Sequence, residues 1–343
     1  MANLDSGYAK VSIRRCRLGF TITVIFRISS GRSIIKRSFF AHHSTEGKKS
    51  GFYIPKRDKR VYDHKISTHY VGELIQHDSS YHRWFPYVDQ KWYLITGLDD
   101  YSRYMLYASL FERESSWRHI MALESLYAVY GFPLAYYVDN HLIFRFVETR
   151  DSVWKKHHLE TDEVDPQWKM VVRECRIKAL YALSPQAKGK IERPYRWLQD
   201  RIVRTCAREN VTTIEQTREI LGYEARRYNE HQVHSTTGEI PAVRFEKAIK
   251  EGQTLFWSFK LPVPYQSTKD LFSLREKRTA DAYRKVSFGK TEFKVPGVNP
   301  YDEVELHMIP NEQTGLTGIR FWHKGKLAEI QNIKNADLKR VQF

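Results

Sequence analysis

The stretch ALSPQAKGKIERPYRWLQ (182–199) holds one acid, Glu192, among Lys188, Lys190, Arg193 and Arg196. A salt bridge would account for a lone carboxylate there, and so would chemistry if two further acids joined it. Asp78 lies near the end of one β-like stretch and Asp139 at the end of another. Strand ends are where open α/β sheets place their ligand sites, and a glutamate on a following helix would complete a cluster of three. Three carboxylates suit two hard divalent cations, because Mg²⁺ takes oxygen ligands and keeps positions for water and substrate phosphate. Two such ions roughly 4 Å apart can activate a water or hydroxyl and stabilise the leaving oxygen of an in-line displacement at phosphorus. The cations around Glu192 would then hold phosphodiesters beside acids that otherwise repel them.

Such a cluster needs a sheet. VGELIQHDSS (71–80) reads as a strand ending on an acid, and KWYLITGLDDYSR and YMLYASLFE as two more, with a turn over 99–103. SSWRHIMALESLYAVYG (115–131) reads as a helix capped by Ser115 or Ser116, with Ile120, Leu123, Tyr127 and Tyr130 on one face and Gly131 and Pro133 ending it. LAYYVDN is apolar up to its acid, as expected of a strand buried on both faces. Residues 141–178 are charged and irregular, with a helical tail from about 165. Pro194 puts a helix start close to Glu192 or kinks the helix there. TIEQTREILGYEARRYNEHQ (213–232) is amphipathic through Ile214, Leu221, Ala225 and Tyr228. The fold class is therefore α/β. After 265, alternating strands joined by glycine turns predict a small β-barrel.

Composition narrows the partners. Of the net charge of +16, +11 lies in residues 1–70, against +1 over 71–250 and +4 over 251–343. A basic segment on a nearly neutral body suits a polyanion such as nucleic acid. Within it, RLGFTITVIFRIS is β-like, and 44–65 reads as a basic linker or phosphate-binding arm. Three separated cysteines, Cys16, Cys175 and Cys206, form neither a disulfide framework nor a zinc signature. They favour a reducing, intracellular compartment. The apolar run LGFTITVIF is too short to span a membrane.

The blocks IQHDSS, ITGLDDYSR, YYVDN, SPQAKGKIERPYRWLQ and YNEHQVHSTTGEIPAVRFE (228–246) follow one another in the order and character of integrase-type transposases. That family unites transposases of bacterial insertion sequences with retroviral integrases. The resemblance covers about 71–250 closely and the C-terminal strands more loosely. It implies an RNase H-like catalytic core, a mixed sheet flanked by helices, over 71–250. A basic N-terminal segment (1–70), read as a shortened DNA-binding region, and a small β-barrel (265–335) would flank it. An Asp–Asp–Glu triad would fall on Asp78, Asp139 and Glu192, with two Mg²⁺ or Mn²⁺ ions as cofactor. The implied activity is cleavage at element ends and strand transfer by 3′-hydroxyl attack, without a covalent protein–DNA intermediate. The implied partners are double-stranded DNA and further copies of the chain, in the cytoplasm and nucleoid of a bacterium. Lys188, Lys190, Arg193 and Arg196 would contact DNA. The chain departs from the family in two ways. The 52 residues between Asp139 and Glu192 exceed the common spacing, and a helix-turn-helix is not evident near the N-terminus. Two rivals follow: an RNase H-type nuclease, and a truncated DNA-binding copy that no longer catalyses.

Other conspicuous residues have plainer readings. Asp99 and Asp100 belong to a turn, His157–His158 is a solvated pair, and His77 points away from Asp78 on a regular strand. Trp84, Trp92 and Trp197 are expected in the core. Tyr228, Asn229 and His234 serve either packing or DNA contact.

Overall fold

The computed structural model describes residues 10–16, 19–25, 37–40, 67–87, 89–139, 141, 143–144, 166–182 and 189–338, with backbone alone at 10–40 and 189–190. The 44–65 arm, the His157–His158 pair and Lys188 lie outside the described residues, as does most of the 141–165 segment. Contacts divide the chain into two units, Met1–His64 and Lys65–Phe343. In the first, β1 (Lys10–Cys16), β2 (Gly19–Ile25) and β3 (Arg37–Phe40) form an antiparallel sheet of their own. The Thr/Val/Ile alternation had marked β2; its two partners carry basic residues that mask the pattern.

The second unit is built on a five-stranded mixed sheet. Strands β4 (Ile75–His82), β5 (Trp92–Asp99) and β6 (Met105–Phe111) form an antiparallel meander. Helix α1 (Ser116–Tyr130) then crosses back so that β7 (Ala135–Val138) runs parallel to β4. Helix α2 (Gln167–Glu174) returns the chain to β8 (Lys178–Tyr181), parallel to β7. The spatial order β6-β5-β4-β7-β8, three antiparallel strands followed by two parallel ones, is the RNase H-like arrangement. It brings the first and fourth strands of the sheet side by side.

Local chemistry explains the crossover. Ser115 caps α1, its hydroxyl accepting from Arg118 N at 3.4 Å. Gly131 ends the helix at φ 85°, and a Cβ there would stand 2.3 Å from the Trp257 carbonyl oxygen, so glycine is required twice over. All four residues of β7 are buried, as its apolar run requires.

The sheet is covered on both faces. One carries Leu94, Leu98 and Leu110 against Leu198 and Ile202 of α3 (Gly189–Arg208) and Leu221 and Tyr228 of α4 (Ile214–His231). The other packs Ile75, Tyr136 and Val138 against α1 and α2. Trp84 and Trp92 are buried as expected, and Trp197 is half-buried. Helix α3 begins three residues before Glu192 and keeps Pro194 inside it. Pro194 is buried, and that packing offsets the lost backbone hydrogen bond.

The C-terminal strands, expected to form a small β-barrel, pair in two separate sheets among the described residues. Strands β9 (Leu274–Thr279), β12 (Glu303–Asn311), β13 (Leu316–His323) and β14 (Lys326–Lys334) form an open antiparallel sheet ordered β14-β13-β12-β9. Strands β10 (Lys285–Phe288) and β11 (Thr291–Lys294) pair only with each other among the described residues. Alternation identifies strands but does not state which edges meet. This sheet is anchored to the core: the Arg275 guanidinium donates to Glu174 Oε2 at 2.7 Å, and the Gln167 amide bonds the Arg275 backbone at 2.6 and 2.9 Å.

Candidate active site

Asp78 lies midway along β4, where burial gives way to partial exposure; the strand does not end on this acid, as its sequence suggested, but stays paired with β5 through His82. Across the antiparallel pair it faces Thr96 of β5. Thr96 Oγ1 donates to the Tyr195 hydroxyl on α3 at 2.8 Å, and Gln199 Nε2 donates to Ser80 Oγ at 3.2 Å. Helix α3 therefore crosses the sheet face that carries Asp78.

Asp139 follows β7 directly. The parallel register pairs Ile75 with Tyr136 and Gln76 with Tyr137. The same offset, carried two residues past the last pair, aligns Asp78 with Asp139. Asp139 Oδ1 accepts the His141 backbone N–H at 3.0 Å. Tyr195 senses both acids. Burial first, then the negative charges of Asp78, Glu114 and Asp139, hold its hydroxyl well above the usual phenol range.

Glu192 lies one turn before Tyr195 on α3. Its side chain is 50% exposed and stands 3.7 Å from the Arg196 guanidinium. The inexpensive reading, a salt bridge, is thus the state the structure records. Among the described residues no three His, Cys, Asp or Glu side chains gather closely enough to hold a metal ion. Asp78 and Asp139 both act on Tyr195, while Glu192 is paired with Arg196. Arg193 reaches Thr236 Oγ1, and Lys190 is described in backbone only.

The remaining residues sort by environment. Asn229 brackets Met105, accepting from its N–H at 2.8 Å and donating to its carbonyl at 3.0 Å, which is a packing role. Tyr228 is buried, and His234 has its pKa pushed down to about 4 by burial and by the charges of Arg103 and Arg193. Cys175 and Cys206 are buried free thiols. His77 does face away from Asp78, but it belongs to a buried set that sequence reading missed. His77 Nε2 lies 2.8 Å from His119 Nδ1, and His119 Nε2 lies 3.0 Å from Glu114 Oε1. The alternation placed His77 correctly; nothing in the spacing pointed to its partners 37 and 42 residues away on the α1 side.

No protein-family model matches the chain. Two curated proteins do. The chain is 29% identical over 181 residues to y4bF of Sinorhizobium fredii, which carries the name of a transposase; the match covers 52% of this chain and 38% of that protein. It is 23% identical over 231 residues to the transposase for insertion sequence IS1202 of Streptococcus pneumoniae, covering 64% and 48%. This chain is similar to transposases of insertion sequences. It spans less than half the length of these relatives. Among solved structures, one similar chain comes from a simian T-cell lymphotropic virus intasome in complex with a PP2A regulatory subunit (14% identity, 78% of this chain and 81% of that one, TM-score 0.42). Another is the HTLV-2 integrase catalytic core in complex with magnesium (16% identity, 51% and 96%, TM-score 0.38). The strand order, rather than these scores, carries the assignment of fold. Among the described residues no helix is long and apolar enough to cross a membrane.

Proposed function

We propose that the chain is a DNA transposase that cleaves at element ends and transfers the freed 3′-hydroxyl strand into target DNA. The observation that supports this reading is the parallel β4–β7 register, which, continued two residues, aligns Asp78 in the middle of β4 with Asp139 just past β7, on the sheet face crossed by the helix bearing Glu192. The donor set fits a hard divalent ion, since all three groups are carboxylates and two are neighbours. Mg²⁺ or Mn²⁺, held by Asp78, Asp139 and Glu192, would supply Lewis-acid chemistry at the scissile phosphate. The Arg196 pair is no obstacle, because an exposed i,i+4 ion pair is worth only about 0.3–0.5 kcal/mol. Tyr195 and Thr96 are buried and hydrogen-bonded to each other beside Asp78. Lys188, Lys190, Arg193 and Arg196 hold the DNA phosphates. The 1–70 segment adds sequence-independent DNA affinity through its charge, 71–250 carries the chemistry, and the protein works as a homo-oligomer on paired DNA ends.

Asp78→Asn, Asp139→Asn and Glu192→Gln, assayed on a pre-cut duplex end with Mg²⁺, should each lower strand transfer at least ~10³-fold while DNA binding persists. An isostere that keeps more than a few per cent of the activity removes that residue from the triad. Cleavage without joined product in the wild type would instead identify a nuclease.

A further inference from the structure

Asp78 is held by its two neighbours in sequence. His77 and Ser79 both turn to the α1 side of the sheet, and both are tied to one carboxylate. The Ser79 hydroxyl donates to Glu114 Oε1 directly. His77 reaches the same oxygen through His119, over 2.8 and 3.0 Å. His77 and His119 are 2% and 0% exposed, so these hydrogen bonds do not compete with water.

The chain has a direction. Glu114 accepts two hydrogen bonds, and although burial pushes its pKa up, the bonds from His119 and Ser79 hold it below the usual carboxylate range. An ionised carboxylate only accepts, so His119 Nε2 carries the proton toward it. With the ring neutral, His119 Nδ1 then accepts from His77 Nε2–H. Each tautomer is set by the next partner, and the strand cannot roll about its axis without breaking links on both sides of Asp78.

The same device reaches the second aspartate. Phe144 packs edge-on against both imidazoles, with ring centroids 4.9 Å from His119 and 5.6 Å from His77. Its N–H donates to the His141 carbonyl at 2.9 Å, and His141 N–H donates to Asp139. The turn that carries Asp139 is thus seated on the rings that fix Asp78.

We propose that Glu114, acting through Ser79, His119 and His77, is a positioning residue that sets the direction of the Asp78 carboxylate and seats the Asp139 turn. This rests on the reading of Asp78, Asp139 and Glu192 as the ligands of a divalent ion. Supporting partners of this kind typically change metal affinity or activity by about 10–100-fold when removed. Glu114→Ala removes both hydrogen bonds. Glu114→Gln keeps one oxygen able to accept both bonds, while removing the charge and turning the second oxygen into an NH₂ donor.

The test uses the full chain and three readouts: Mn²⁺ binding by electron paramagnetic resonance without DNA, kcat and KM for strand transfer on a pre-cut duplex, and thermal unfolding. Glu114→Ala should lose about 10–100-fold in Mn²⁺ affinity and kcat with KM for DNA unchanged, and Glu114→Gln should recover both to within about threefold. A folded Glu114→Ala protein with wild-type Mn²⁺ affinity and kcat overturns the proposal, as does a Gln variant no better than Ala. Should Glu114→Ala fail to fold, Ser79→Ala cuts the direct link alone. It should lower Mn²⁺ affinity, and an unchanged affinity is again overturning. Asp78→Asn run alongside separates the two levels. If it loses Mn²⁺ and activity while Glu114→Ala changes neither, Glu114 alone is misassigned. If it retains both, the metal-site reading falls and takes this proposal with it.

Discussion

Asp99 and Asp100 close β5 with both side chains fully buried, whereas Asp78 and Asp139, at the centre of the same sheet, stay partly open to water. The buried pair is satisfied from all sides. Asp99 accepts the backbone N–H groups of Gly72 at 2.9 Å and Ser102 at 2.8 Å, together with the Ser102 hydroxyl. Asp100 accepts from Gln76 and Thr68, both at 2.8 Å, and pairs with Arg103 at 2.9 Å. Burying a carboxylate is affordable only with such partners, and they lock the meander to residues 68–76. A carboxylate with that many protein donors has little left for an ion or a substrate. Asp78 and Asp139 are instead partly exposed, so the four aspartates divide by environment.

The same substitution should therefore act differently at the two places. Asp78→Asn is expected to cost at least ~10³ in strand-transfer rate with little change in the melting temperature. The comparison breaks if the activity survives. Removing the cation of the buried pair comes next: Arg103→Met leaves Asp100 charged and buried, which should cost about 3–5 kcal/mol in urea unfolding. Unchanged stability would mean that Gln76 and Thr68 suffice for Asp100.

A smaller effect is written in pH. Burial raises the Asp99 pKa from its ordinary 3.8 to about 6, against the lowering effect of its Ser102 and Gly72 hydrogen bonds. A carboxyl group raised on folding favours the folded state most when protonated. Its contribution is full below pH 3.8, falls as pH rises toward about 6, and is constant beyond. The stability advantage of the wild type over Asp99→Asn should accordingly shrink by about 3 kcal/mol across that window. Chemical denaturation of both proteins at pH 3.5 and 6.5 checks it, and a constant difference would remove Asp99 from the linkage.

The smallest change is expected at the exposed edge of the chemical pair. Arg196→Gln should alter stability by no more than about 0.5 kcal/mol, while reducing the log–log salt slope of DNA binding by about 0.9 if Arg196 meets one phosphate. A stability loss well above that would make its contact with Glu192 structural instead.

Much of the core was legible because its signals are local. The apolar run before Asp139, and the Ser115 cap with Gly131 beyond the helix, are each written within a few residues, whereas the first strand runs on four residues past the acid that seemed to end it. Other features were not. Helix α3 starts close to Glu192, as Pro194 suggested, but that it runs on through a buried Pro194 depends on what packs around the ring. The C-terminal strands were recognisable by alternation, but the open order β14-β13-β12-β9 depends on which edges find each other.

The sequence by itself determined that Asp139 follows an apolar strand and that His77 and Asp78 occupy opposite faces, since a period of two is a property of the backbone. That Asp78 aligns with Asp139 depended on a parallel pairing across some sixty residues, closed by α1. That Glu114 grips both neighbours of Asp78 depended on where the N-terminal end of that helix settles on the sheet. Those contacts are made by burial of the apolar faces around them, a sum over the whole core that no single stretch of sequence carries. Only the tertiary structure could decide them.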